Sequence, residues 1–158
     1  MTSSYTGLNK TEADVGQYKK VRKFWNDTAG VDCSTGGKFV SVSGQGVVEA
    51  AGSADIDGII FDGIASAAST FVDVFCGLQD MFDGVISTTA NGASAILDGA
   101  SVYAMTSTKL GTGISGLDIV GILADNTNLV GSSQSNTRVK FQLTPSQAIP
   151  GYDSGNTA

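Results

Sequence analysis

The sequence predicts an all-β protein, a small β-barrel or barrel-like sandwich of short strands with an irregular N-terminal arm. Glycine supplies 21 of the 158 residues, whereas proline supplies two and charged residues 15%. This balance is typical of many short strands joined by turns. Apolar and polar residues also alternate in short runs, and a period of two is that of a strand with one buried and one wet face. The length suits one domain, and a hydrophobic fraction of 41% is enough for a core.

The composition of the sequence changes twice along the chain and divides it into three segments. Residues 1–36 are polar and form the predicted arm, residues 37–144 form the barrel body, and residues 145–158 form a loose tail with almost no apolar content. Within the arm, "DVGQYKKVRKFW" (14–25) has apolar positions that fit either a short helix or an extended strand.

The body contains a series of strand-like runs separated by glycines and polar turns. The first, "GGKFVSVSGQGVVEA" (36–50), alternates valine with serine. In the last and clearest, "NTRVKFQL" (136–143), Val139, Phe141 and Leu143 alternate with polar residues. The runs between them are short and rich in branched and aromatic residues: "DGIIF" (57–61), "TFVDVFC" (70–76), "MFDGVIS" (81–87), "ASVYAM" (100–105) and "LDIVGIL" (117–123).

Charge is unevenly distributed along the chain. Residues 1–38 carry six Lys or Arg against four acids, whereas residues 39–137 carry ten acids and only Lys109, a balance of −9. Such an acidic body would be repelled by a phosphate backbone, so we predict no nucleic-acid partner. The basic residues of the arm are concentrated in "YKKVRKFW" (18–25).

The sequence also predicts a protein without a membrane partner that is made in the cytoplasm. No run approaches the roughly 20 apolar residues that a membrane span needs. The first stretch, "MTSSYTGLNKTEADVG", has no apolar core of the kind found in signal peptides. Cys33 and Cys76 lie far apart without a C-x-x-C spacing, so we predict reduced, buried side chains that contribute packing only.

Two motifs are candidates for a metal or cofactor site, but neither has the residues that such a site needs. Asp55 and Asp57 form a D-x-D pair near Asp62, but the spacing lacks the ligands of a calcium loop, and exposed acids on strands and turns are the better interpretation. "GTGISG" (111–116) is followed by a strand-like run and by no suitably placed acid, which favours a hairpin loop over a dinucleotide site. The chain has no histidine. We therefore predict no catalytic residue, metal or cofactor, and no enzyme.

Three stretches of the body follow one another in a characteristic order. They are "GQGVVEAAGSADIDGIIFDGIASAASTFVDVFCG", "ILDGASVYAM" and "LDIVGILADNTNLVGSSQSNTRVKFQL". Gly99–Tyr103 gives a G-x-x-V-Y strand, Val120–Ala124 a V-G-x-x strand with an alanine turn, and Arg138–Leu143 a closing R-V-K/R-x-x-L strand. In this order they resemble the small capsid decoration, or cement, proteins of tailed bacteriophages. The resemblance covers the body from about Gly37 to Leu143.

The resemblance implies a structural role on a virion. Proteins of this family bind the outer surface of the phage head at junctions between major capsid subunits, often as trimers, and stabilise it. The acidic body agrees with an outer position, because packaged nucleic acid would repel it inside the head. Two alternatives remain: a virion adhesion or carbohydrate-binding module, and an enzyme that acts on a carbohydrate through Asp55, Asp57 or Asp62.

The first 36 residues exceed the segment that such proteins usually carry before the first strand. We expect this arm to bind the capsid or to clasp a neighbouring subunit, and to become ordered on binding. Its candidate contact residues are basic or aromatic: Lys19, Lys20, Arg22, Lys23, Phe24 and Trp25. Phe24 and Trp25 would be the apolar anchors, and the cations would provide steering and register. Alternatively, Trp25 packs the arm onto its own body.

Overall fold

The computed structural model describes residues 7–10, 21–27, 30–44, 46–61, 69–76, 81–86, 101–111, 119–125 and 138–143. Within these ranges the chain forms strands and no helix, which confirms the predicted all-β class. The strands are β1 (Asn9–Lys10), β2 (Val21–Asn26), β3 (Lys38–Ser43), β4 (Gly46–Glu49), β5 (Gly58–Ile60), β6 (Thr70–Phe75), β7 (Met81–Ile86), β8 (Ser101–Ala104), β9 (Lys109–Gly111), β10 (Ile119–Asp125) and β11 (Arg138–Leu143). The described part of the chain accordingly contains no helix that could cross a membrane.

Five strands close into a β-barrel, as the sequence predicts. They follow the order β7, β11, β10, β8, β9 with antiparallel pairing, and a parallel pairing of β9 with β7 closes the ring. Strand β1 is added to the barrel through β7. In β11 the three apolar residues of the predicted alternation are buried, and the residues between them are half-buried or exposed.

The other five strands form a curled antiparallel sheet in the order β2, β6, β5, β3, β4. Its two edge strands approach each other where buried Asn26 of β2 accepts a hydrogen bond through Oδ1 from the Val47 N–H of β4, at 2.9 Å. Gly46 adopts a φ of 138° at this point, and a Cβ there would overlap the Asn26 side chain. A glycine is therefore required where the two edges meet.

Replacing Asn26 tests this side-chain bridge. Asn26→Leu conserves the volume but removes the acceptor, so the buried Val47 N–H loses a partner, and we expect a loss of about 1–3 kcal/mol in the free energy of unfolding. Chemical denaturation measures the difference. Arg22→Gln on the same strand is exposed and serves as the control, with an expected change within about 0.5 kcal/mol. Equal free energies of unfolding for the two variants would show that the hydrogen bond between Asn26 and Val47 contributes nothing to stability.

Two apolar clusters stabilise the fold. The larger fills the barrel and continues onto one side of the sheet, because it joins Phe82 and Phe141 of the barrel to Phe39, Ile59 and Phe75 of the sheet. The ring centroid of Phe82 lies 6.1 Å from that of Phe141 and 6.3 Å from that of Phe75. The smaller cluster covers the opposite side of the sheet. Its buried members are Val31, Cys33, Val40, Val42, Val47, Ile60, Val72 and Val74.

The described parts of residues 1–36 belong to the fold, in contrast to the irregular arm that the sequence predicts. Leu8 is fully buried in the larger cluster, and its backbone exchanges hydrogen bonds with Gly37 at 3.2 and 2.8 Å. Strand β2 pairs with β6 along its whole length of six residues. The extended alternative for residues 14–25 is thus the one observed from Val21 onward, because β6 provides a neighbouring backbone.

Each strand-like run predicted in the body overlaps an observed strand. Strand β9 is not predicted by the sequence, because three residues are too few to display a period. Both cysteines are buried and no disulfide joins them, which confirms the predicted buried side chains. The tail, 145–158, and most of the glycine motif at 111–116 lie outside the described residues.

The acids around Asp57 do not share an exposed face, which corrects the interpretation drawn from the sequence. Asp57 is buried, and its Oδ2 accepts a hydrogen bond from the Val42 N–H at 2.7 Å. Strand β5 begins only at Gly58. The Asp57 carboxylate therefore accepts the hydrogen bond from β3 at a position that β5 does not reach. Asp55 is half-buried, and Asp62 lies outside the described residues.

Candidate functional site

The residues predicted to contact a partner are divided between the two sides of β2. Side chains alternate along a strand, so Arg22 and Phe24 lie on one side of the sheet and Lys23 and Trp25 on the other. Phe24 is half-buried against the smaller apolar cluster. Only part of its ring is therefore accessible to a partner, in contrast to that of Trp25. Lys19 and Lys20 lie outside the described residues.

Trp25 forms an exposed aromatic pair with a residue that the sequence did not single out. In the register of β2 and β6, Trp25 lies opposite Phe71. The two ring centroids are 4.9 Å apart and the ring planes meet at 71°, an edge-to-face arrangement. Trp25 is 47% exposed and Phe71 63%. Two large rings are thus held together at the surface of the protein.

The same side of these two strands carries further exposed groups. Lys23 lies opposite Asp73, and its Nζ contacts Asp73 Oδ1 at 2.8 Å. Val21, at the beginning of β2, is 39% exposed. We call this surface the aromatic face and define it by Val21, Lys23, Trp25, Phe71 and Asp73. It holds three of the four exposed large hydrophobic residues in the described part of the chain; the fourth is Val48 on β4.

The aromatic face continues a buried surface. Residues that lie opposite one another in antiparallel strands share a side of the sheet, so the aromatic face lies on the same side as Phe75 and Ile59. Phe75 and Ile59 belong to the larger cluster against the barrel. The barrel thus covers this side of the sheet at Ile59 and Phe75 and leaves it open at Trp25 and Phe71.

A carboxylate immediately after β2 orients the tryptophan. The Trp25 Nε1–H donates a hydrogen bond to Asp27 Oδ1 at 2.7 Å. With Asp27, the surface carries two carboxylates and one ammonium group, and the ammonium is already paired with Asp73. An exposed ion pair of this kind contributes only about 0–1 kcal/mol to stability.

This arrangement is suited to association. An exposed aromatic pair with an ion pair beside it is typical of an interaction site, and paired aromatic rings bury a large area when a partner covers them. No group of three or more His, Cys, Asp or Glu side chains in the described ranges is arranged to hold a metal ion.

The fold and this surface together define an all-β barrel protein with an exposed aromatic face. No family model, curated protein or solved structure matches the chain.

Proposed function

We propose that this chain is a capsid decoration protein that binds the outer surface of a phage head at junctions between major capsid subunits, as a homo-oligomer and preferably a trimer. The observation that carries the proposal is the aromatic face, with Trp25 and Phe71 exposed side by side on an otherwise acidic chain. Exposed aromatic surface of this kind is typical of interaction sites. The role needs no catalytic residue, cofactor, nucleic acid or membrane.

The barrel supports a static role of this kind. A closed ring of strands pairs its backbone groups internally and leaves few edges free. A protein that binds the assembled lattice, and binds free capsid subunits less tightly, stabilises that lattice by mass action. The excess of acids in residues 39–137 suits a position outside the head, away from packaged nucleic acid.

The proposal is tested with phage heads produced with and without this chain. We expect purified virions to contain many copies of the chain spread over the head, and heads that lack it to release their contents at a temperature several degrees lower. Adding the purified protein back should restore the heat resistance. Heads of equal heat resistance, together with no binding of the added protein, would contradict the proposed function.

A virion adhesion or carbohydrate-binding module is the second candidate. Exposed rings beside the Asp27 and Asp73 carboxylates favour it, because an apolar sugar face can cover a ring while its hydroxyls donate to carboxylates. Electron microscopy of virions separates the two candidates by position. An adhesion module should be found as a few copies at the tail tip, and a decoration protein as many copies over the head.

A further inference from the structure

We infer that the aromatic face binds an arginine side chain presented on an apolar segment of the major capsid protein; this inference rests on the proposed function. The charge of the surface is the first reason. Among the described residues Lys23 is paired with Asp73, and no cation lies within salt-bridge distance of Asp27, which follows β2. A partner that covers this surface with a cation avoids leaving Asp27 desolvated without a counter-charge.

The position of Asp27 beside the indole is the second reason. Its Oδ1 accepts the Trp25 Nε1–H, and in the described part of the chain its Oδ2 makes no hydrogen bond. The carboxylate is therefore held next to the ring, and no described residue bonds to its second oxygen. A guanidinium group can donate to Oδ2 while its plane lies against a neighbouring aromatic ring, because it is flat, delocalised and weakly hydrated.

An arginine suits this surface better than a lysine does. The ammonium of a lysine is a compact, strongly hydrated charge that loses more hydration on a partly apolar surface. Phe71 and Val21 extend the face along the two strands. Apolar residues next to the arginine would cover them and exclude water, as the surroundings of binding hot spots do.

The first experiment measures the binding of purified, labelled protein to phage heads that lack it. Trp25→Ala should weaken binding at least about 30-fold, as loss of a hot-spot aromatic does, and Phe71→Ala at least about 5-fold. Asp27→Asn retains an oxygen that accepts the indole N–H and removes the charge. It should weaken binding about 5-fold and reduce the dependence of binding on salt. Lys140→Ala removes an exposed side chain from β11 of the barrel and is the control, with unchanged binding expected.

The outcomes separate the two proposals. If the unaltered protein does not bind the heads, the proposed function fails and this inference with it. If the unaltered protein binds and the Trp25 and Phe71 variants bind equally well, decoration stands and the aromatic face is not the docking surface. If the apolar variants lose binding while Asp27→Asn binds as tightly as the unaltered protein at every salt concentration, the arginine assignment is wrong. A cryo-EM map of decorated heads should place a guanidinium group over Trp25, and a lysine, a sugar or solvent there would overturn it.

Discussion

A chain that lacks residues 1–30 should not reach the native fold. The deletion removes β2 and leaves the six backbone positions of β6 unpaired on that side. It also removes Leu8 from the larger cluster, where truncation of a buried leucine alone costs about 2–5 kcal/mol. Loss of the Asn26 bridge to β4 adds about 1–3 kcal/mol. Together with the lost ladder, these terms approach or exceed the whole stability of a small domain, about 5–15 kcal/mol.

Circular dichroism and thermal unfolding of the truncated chain measure this effect. We expect no cooperative transition and a tendency to aggregate, because β6 becomes an exposed edge with apolar residues on both sides. Deleting residues 145–158, the tail predicted from the sequence, is the matched control at the other terminus and should leave the transition in place. A melting temperature within a few degrees of the full chain after deletion of 1–30 would support the independent arm instead.

The contrast between β11 and β2 shows which strands can be predicted from a sequence. Strand β11 lies in the barrel wall with one side in the core, so its apolar residues occupy every second position. Strand β2 is at the edge of the curled sheet, and most of its side chains are exposed. It carries no alternation for that reason. Its pairing with β6 joins residues about 50 positions apart, and such long-range partners leave no local pattern in a sequence.

The candidate site could also be predicted only in part, because long-range strand pairing brings its residues together. Trp25 could be predicted as a contact residue because a lone tryptophan beside basic residues suits an interface. Phe71 could not be predicted, because every hydrophobic residue of "TFVDVFC" is equally well explained as part of the core. Only the register of the two strands places Phe71 beside Trp25, beyond the region that the barrel covers. Phe24 lies on the other side of β2, where it packs against the smaller cluster, and only the structure shows this.

Phe82→Ala should be the most destabilising single truncation among the aromatic residues. Phe82 belongs to β7 of the barrel and is fully buried. Its ring contacts Phe141 within the barrel, and Phe61 and Phe75 on the side of the sheet, with centroids 5.8–6.3 Å apart. One ring therefore packs against both halves of the fold. We expect a loss of about 3–5 kcal/mol, because the change removes apolar contacts and leaves a cavity that the rigid neighbours fill only partly.

Phe71→Ala provides a matched control, since the same side chain is truncated where it is 63% exposed. It should change the free energy of unfolding by no more than about 1 kcal/mol, most of it from the lost contact with Trp25. In thermal unfolding, Phe82→Ala should lower the melting temperature by about 6–20 °C for a chain of this length. Because Phe82 joins the barrel to the sheet, near-ultraviolet dichroism and amide exchange in β3 and β6 should report the same loss as the barrel strands. Destabilisation confined to the barrel would mean that the two halves are stable independently and that the aromatic junction is a contact without cooperative effect.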